Sequence, residues 1–209
     1  MDSFISKLNP NQYREASELL AKAFCYDPVI FSILQGLPPR KRLSRIKLVF
    51  ELTLKTIGPK RLVLSAQKGN EIYGVALLHP PKTYPPSFFS YFYILINAIM
   101  RKGFYGLSKW LIWNQSIKKN HPKDLHFYLE FIGVDPLLQR KGIGSLILTK
   151  IVSLADKAFM SCYLETANPQ NLKFYNRFVF EIVGQEKIIG VPTWFMERPP
   201  TPFPNQNIV

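Results

Sequence analysis

The chain has 209 residues, of which 47% are apolar and 20% charged. That length buries a core without disulfides or metal, and that composition excludes a disordered, collagen-like or coiled-coil protein. Lys and Arg outnumber Asp and Glu by 27 to 14, a net charge of +13, which favours anionic partners such as phosphorylated cofactors, nucleic acid or anionic lipid.

The excess is unevenly spread. Between Arg40 and Arg61 there are eight basic residues and one acid, Glu51; from Ile72 to Lys123 there are seven basic residues and no acid. Cys25 and Cys162 lie far apart amid apolar residues, with neither metal spacing nor a disulfide framework, which fits a reduced, cytoplasmic setting. Arg14, Glu15 and Glu18 interrupt any signal-peptide core.

Phe4 to Leu8 reads as a short strand. Asn9-Pro10 then supplies an N-cap and a proline at the first helical position. Tyr13, Ala16, Leu19, Leu20, Ala23 and Phe24 follow a helical period that stops before Asp27-Pro28. Asp27 fits a helix-terminating turn. After the break at Leu37-Pro38-Pro39, Arg42 to Ile57 is a basic amphipathic helix ended by Gly58-Pro59. Two apolar strands, Leu62 to Ala66 and Ile72 to Leu78, flank a Gly69-Asn70 turn.

From Tyr84 to Pro122 the chain is aromatic and free of acids, and it reads as a helical insertion. Its apolar run, Phe88 to Met100, is 13 residues long, short of the roughly 20 needed to span a bilayer; a buried or groove-lining helix is the expectation. A second helical piece covers Leu107 to Ile117. Leu125 to Val134 is the strongest strand, with Leu125, Phe127, Leu129 and Phe131 on one face and His126, Tyr128, Glu130 and Ile132 on the other. Glu130 is thus a carboxylate among large side chains, costly unless paired or functional. A helix begins at Ile143, a strand covers Ser161 to Thr166, and Asn168-Pro169 opens a helix through Phe178. Strands Phe180 to Ile188 and Thr193 to Arg198 close a single domain over residues 1–198. The proline-rich tail, 199–209, is irregular.

Gln139-Arg140-Lys141-Gly142-Ile143-Gly144-Ser145 sits between a strand and a helix. Glycines there allow close backbone approach, and a helix start presents unsatisfied N–H groups and partial positive charge. Together with Arg140 and Lys141 these make a diphosphate site. The residues alone are also compatible with a turn that only starts a helix. The third glycine of a dinucleotide fingerprint and the Gly-Lys-Ser/Thr of a phosphate loop are both missing.

Val134-Asp135-Pro136 followed by Gln139-x-x-Gly142-x-Gly144 resembles the acyl-CoA-binding signature of the GNAT superfamily of N-acetyltransferases. Leu164-Glu165-Thr166-Ala167-Asn168-Pro169-x-Asn171-x-x-x-Tyr175 is similar to that family's second conserved segment. The His126-Phe127-Tyr128-Leu129 and Pro192-Thr193-Trp194-Phe195-Met196 stretches resemble its puromycin-N-acetyltransferase-like branch. One departure is Val179, where the family usually carries a helix-terminating glycine.

The resemblance implies an α+β fold: a mixed, mostly antiparallel central sheet flanked by helices, with the insertion between the third and fourth strands. It implies a sheet that splays after residue 131 and takes the pantetheine arm of acetyl-CoA against the backbone of Gly133 and Val134. The diphosphate would rest on the amides from Arg140 to Ser145, beside Gln139, and Asn171 would hold the arm from the far side. Tyr175 would protonate the departing thiolate; Asn171 and Tyr175, four apart, share a helix face. The acceptor, a small-molecule or protein amine, would lose a proton to Glu130, with Glu165 as the second candidate. Glu130 could equally be a structural acid paired with Lys or Arg. His126 reads as a hydrogen-bonding core residue.

The function implied is acetyl transfer from acetyl-CoA, as co-substrate, to a primary amine by direct attack in a ternary complex. No metal, transmembrane segment or specific nucleic acid is implied, and the protein would be a monomer or homodimer. Alternatives are an acyltransferase using a longer acyl-CoA, a non-catalytic acetyl-CoA-binding protein, and a nucleic-acid-associated protein suggested by the +13 charge.

Overall fold

The computed structural model describes residues 4–102 and 105–201. Residues 199–201 have no regular structure; the rest of the expected tail lies outside the described residues. Strands β1 (Phe4–Lys7), β2 (Leu62–Lys68), β3 (Glu71–His79), β4 (His126–Val134), β5 (Ser161–Thr166), β6 (Glu181–Ile188) and β7 (Val191–Arg198) form one sheet in the order β1-β2-β3-β4-β5-β7-β6. Every neighbouring pair is antiparallel except β4 and β5, which run parallel. The expected mixed, mostly antiparallel sheet is therefore found.

The helices are α1 (Tyr13–Ala23), α2 (Pro28–Ile33), α3 (Pro39–Lys55), α4 (Phe88–Lys102), α5 (Leu107–Asn120), α6 (Ile143–Lys157) and α7 (Pro169–Asn176). Helices α4 and α5 form the expected insertion between β3 and β4. Asn9 caps a 3-10 turn, Pro10–Gln12, that leads into α1. The Asp27-Pro28 break starts a helix as well as ending one. The Asp27 carboxylate accepts from the amides of Val29 at 3.0 Å and Ile30 at 3.2 Å, capping α2. A helix this short has no periodic signature. Helix α3 starts at Pro39 rather than Arg42, because proline is at home in a first turn.

Apolar side chains fill both faces of the sheet. On one, α1, α2 and α3 pack on Val63, Val75, Leu77 and Phe131; α5 extends that layer by setting Ile117 against Tyr128 and Tyr163. On the other, α6 and α7 pack on Leu64, Ala76, Phe127, Leu129 and Leu164. Phe131 thus lies on the opposite face from Phe127 and Leu129, against the expected alternation. The register explains it: Leu77 opposes Phe131 while Leu78 opposes Leu129, so Glu130 is an extra residue in β4. Such a bulge reverses the alternation and re-aims the side chains beyond it.

Helix α7 ends at Asn176, and the amides of Phe178 and Phe180 return to the Tyr175 carbonyl. Val179 takes φ +63° in this turn, so valine occupies the left-handed position where glycine is usual. That conformation costs a residue with a Cβ roughly 1–2 kcal/mol, and Val179 is 55% exposed, with little packing in return. Val179→Gly is therefore expected to stabilise the protein by about 0.5–1 kcal/mol after glycine's own entropy cost, a rise in Tm of about 1–4 °C. Thermal unfolding of the variant checks this, and an unchanged or lower Tm would contradict it.

Candidate active site

The loop from Gln139 to Ser145 is built by backbone conformation. Asp135 caps the turn Pro136–Leu138 by accepting from the Leu137 amide at 2.9 Å. Arg140 then takes φ +62° and Gly142 φ +84°, and Gly142 serves as the N-cap of α6. A non-glycine residue held in the left-handed region marks a position whose backbone direction is imposed. Nothing lies within 4 Å of where a Gly142 Cβ would project, so the space above the helix start is open. Arg140 and Lys141 are exposed beside it, while the Ile143 side chain anchors the loop in the core, 2% exposed. Gln139 ties the loop back through Nε2 to the Val134 carbonyl at 3.4 Å. An open helix start with two cations fits a diphosphate.

Gly133 has a different cause. A Cβ there would come within 2.8 Å of Leu20 Cδ2 and 3.2 Å of Phe24 Cε2, so this glycine lets α1 lie close on the sheet. Its backbone, and that of Val134, pairs with β3 on one side and has no β5 partner on the other. The β4–β5 ladder ends at Leu129 and Leu164, two residues before the expected splay point, and the following residues of β4 have no β5 partner. The bulge at Glu130 falls at the same place.

Glu130 therefore stands where the sheet opens. Its Oε2 lies 2.5 Å from His79 Nε2, and His79, 1% exposed, stacks on Tyr128 with ring centroids 5.4 Å apart. Glu165, next to the last paired residue of β5, is the other carboxyl at the opening. Burial pushes its pKa up to about 8, while a hydrogen bond from Tyr128 pulls it down. Its Oε1 is shut off from solvent with no partner among the described residues.

Opposite the loop, Asn168 caps α7 by accepting from the Gln170 amide at 3.0 Å. This aims Asn171 and Tyr175 at the opening; Asn171 Nδ2 donates to Thr166 Oγ1 at 3.4 Å. Tyr175 is 5% exposed, and burial holds its hydroxyl well above the ordinary tyrosine range, so it keeps its proton. Asn171, Tyr175, Glu130, Glu165 and Asp27 all line one cavity of about 370 Å³. Helices α4 and α5 contribute to its wall through Ile94, Leu95, Ile99, Trp110 and Trp113. The groove-lining expectation for α4 thus holds for one face, whereas Phe88, Phe89 and Met100 are exposed, each above 75%.

His126 behaves as expected of a core residue: Nδ1 lies 2.6 Å from the Asp124 carbonyl and Nε2 3.0 Å from His121 Nε2. Burial, then His126, pull the His121 pKa down to about 4, so His121 is neutral near pH 7. Residues that the sequence did not single out are His79, Tyr84, Trp110 and Trp113. His79 meets Glu130 across 51 positions of chain, and no local pattern signals that contact.

Residues 38–180 match the model of the acetyltransferase (GNAT) family. The fold is similar to that of a histone acetyltransferase HPA2 and related acetyltransferase from Corynebacterium glutamicum, at 19% identity and TM-score 0.70, over 96% of this chain and 98% of that one. It is similar to arylalkylamine N-acetyltransferase 2 from Aedes aegypti, at 17% identity and TM-score 0.62, over 96% and 100%. It is also similar to the PaiA N-acetyltransferase from Thermoplasma acidophilum, whose structure holds coenzyme A, at 13% identity and TM-score 0.60, over 95% and 99%.

The raised pKa of Glu165 fixes a pH effect on stability. Between the ordinary value of 4.5 and about 8 the folded chain holds a proton that the unfolded chain releases. Stability from this group therefore falls as pH rises through that window and levels off above it. Glu165→Gln removes the titration. The variant is expected to gain on the parent as pH rises from 4.5 to 9, by on the order of a few kcal/mol at the upper end. Urea unfolding at the two pH values tests this, and a pH-independent difference would assign the pKa shift elsewhere.

Proposed function

The chain belongs to the acetyltransferase (GNAT) family and is an acetyl-CoA-dependent enzyme; we propose that it transfers the acetyl group to the nitrogen of a primary amine by direct attack in a ternary complex. The observation that carries this reading is the coincidence of the Glu130 bulge with the end of the β4–β5 ladder. It opens the sheet where two carboxyls, a buried tyrosine hydroxyl and an asparagine border one cavity.

Each residue has a role in this reading. Acetyl-CoA supplies a thioester, whose carbonyl carbon is the electrophile. The amides from Arg140 to Ser145 and the charges of Arg140 and Lys141 hold the diphosphate, with Gln139 steadying the loop. The open edge of β4 at Gly133 and Val134, and Asn171 from α7, hold the pantetheine arm. An alkyl ammonium has a pKa of roughly 10.4 and attacks only after losing a proton. Glu130 accepts that proton, directly or through water, and His79 fixes its carboxylate. Glu165 is seldom available as a base near pH 7, because its own pKa of about 8 keeps it largely protonated. Tyr175, held protonated by burial, donates to the leaving sulfur. Membership of a puromycin-N-acetyltransferase-like branch rests on the His126–Leu129 and Pro192–Met196 stretches. These lie on β4 and β7, where Phe195 pairs with Glu165.

Two experiments test the reading. Acetyl-CoA at about 100 times its Kd stabilises a native state by about 2.7 kcal/mol, which for a chain of this size raises Tm by about 5–10 °C. Gly142→Gln is expected to abolish that rise by placing a side chain in the open space above the loop. A folded variant that keeps the full rise would mean the loop only starts a helix.

In the second, Tyr175→Phe and Glu130→Gln are each expected to lower kcat by about 10²- to 10⁴-fold while acetyl-CoA still raises Tm. The Glu130→Gln loss should be largest near pH 7 and shrink as pH approaches the amine pKa. Turnover like the parent's across the pH range would reject both roles without touching the fold.

A further inference from the structure

Resting on the acetyltransferase reading, we propose that the acceptor is a primary amine with a single positive charge on a flat aromatic body, seated in the cavity beneath α4 and α5. The cavity holds about 370 Å³, within the range of small-molecule sites of roughly 300–1,000 Å³. Its chemistry is divided. Glu130 and the largely protonated Glu165 sit at the sheet opening, and Asp27 lines the same cavity at the start of α2. The rest of the wall is largely aromatic and aliphatic: Tyr84, Trp110 and Trp113, with Ile94, Leu95 and Ile99 of α4.

The aromatic part is a packed assembly. The Tyr84 ring contacts Tyr128 edge-on at 4.6 Å, His121 at 4.3 Å and His79 at 5.4 Å. Planar ring faces beside carboxyls suit a cation carried by an aromatic group. A long acyl chain makes no use of Glu130 and would leave its carboxylate facing hydrocarbon, at a cost in desolvation. A second ammonium is disfavoured by two cations in the same wall. Arg45 is held by the Tyr105 carbonyl at 3.0 Å and Arg61 by the Thr83 carbonyl at 3.3 Å. Polyamines are therefore poor occupants, and lysine side chains lack the ring that would fill the apolar end.

The test uses the full chain with acetyl-CoA and follows thiol release. Phenethylamine and tryptamine are compared with ethylamine, spermidine and a lysine-containing peptide. The aromatic amines are expected to show kcat/KM about 10- to 100-fold above ethylamine, the discrimination that burial of an aromatic group supports, with spermidine and the peptide lower still. Trp110→Leu and Trp113→Leu are each expected to raise KM for phenethylamine about 10-fold. Both should raise KM for ethylamine by clearly less than that, and both should keep the acetyl-CoA-induced Tm rise. Faster turnover of spermidine or the peptide would overturn the acceptor class, as would equal effects of the tryptophan variants on ethylamine. A preference for octanoyl-CoA over acetyl-CoA would overturn it by giving the cavity to the acyl chain. The two readings separate cleanly. If acetyl-CoA raises Tm but aromatic amines are not preferred, only the acceptor class is wrong; if acetyl-CoA neither raises Tm nor is consumed, the transferase reading falls with it.

Discussion

A single extra residue in β4 governs the site. Glu130 has no partner across β3, and β5 stops pairing with β4 one residue earlier. A continuous ladder would bury both strand edges in hydrogen bonds and leave no backbone for a ligand. Because the ladder stops while β4 runs on to Val134, one edge of five residues, Glu130 to Val134, has no β5 partner. The bulge also moves Phe131 to the α1–α3 face, where it packs edge-on with Phe50 at 5.1 Å and Phe24 at 6.5 Å. That packing stabilises the distortion, since returning to regular alternation would pull Phe131 out of an aromatic cluster.

The same opening sets the electrostatics. Two carboxyls on neighbouring strands have different surroundings there. Glu130 has an imidazole partner, whereas Glu165 is set among Tyr128 and Tyr163 and is driven toward its neutral form. Burial likewise raises both of those tyrosines and Tyr175. Tyr175 thus keeps its phenolic proton within the same cavity as both carboxyls.

The insertion supplies what the sheet cannot. Helices α4 and α5 join α2 and α3 over the open face, and their tryptophans and isoleucines turn an exposed cleft into a walled cavity. Their lack of acidic residues keeps the negative groups of the site at the sheet opening, while Arg45 and Arg61 stand in the wall.

Much of this was written locally in the sequence. Helical and strand periods located most elements, because burying one face imposes a 3.6- or 2-residue repeat. The Gln139–Ser145 segment was legible because a left-handed glycine and a helix start are local backbone properties; Asn171 and Tyr175 were legible through the resemblance of residues 164–175 to a family segment, their four-residue spacing adding only that they share a helix face. Helix α2 was hidden by its six-residue length. The bulge was invisible because an extra residue is defined only against the partner strand; Leu125 to Phe131 reads as one regular face until β3 sets the register. The pairing of His79 with Glu130, the burial that neutralises Glu165, and the joining of Trp110 and Trp113 to the site all depend on segments far apart in the chain. Only the tertiary structure decided them, because a contact and a local dielectric belong to the packed neighbours rather than to the residue itself.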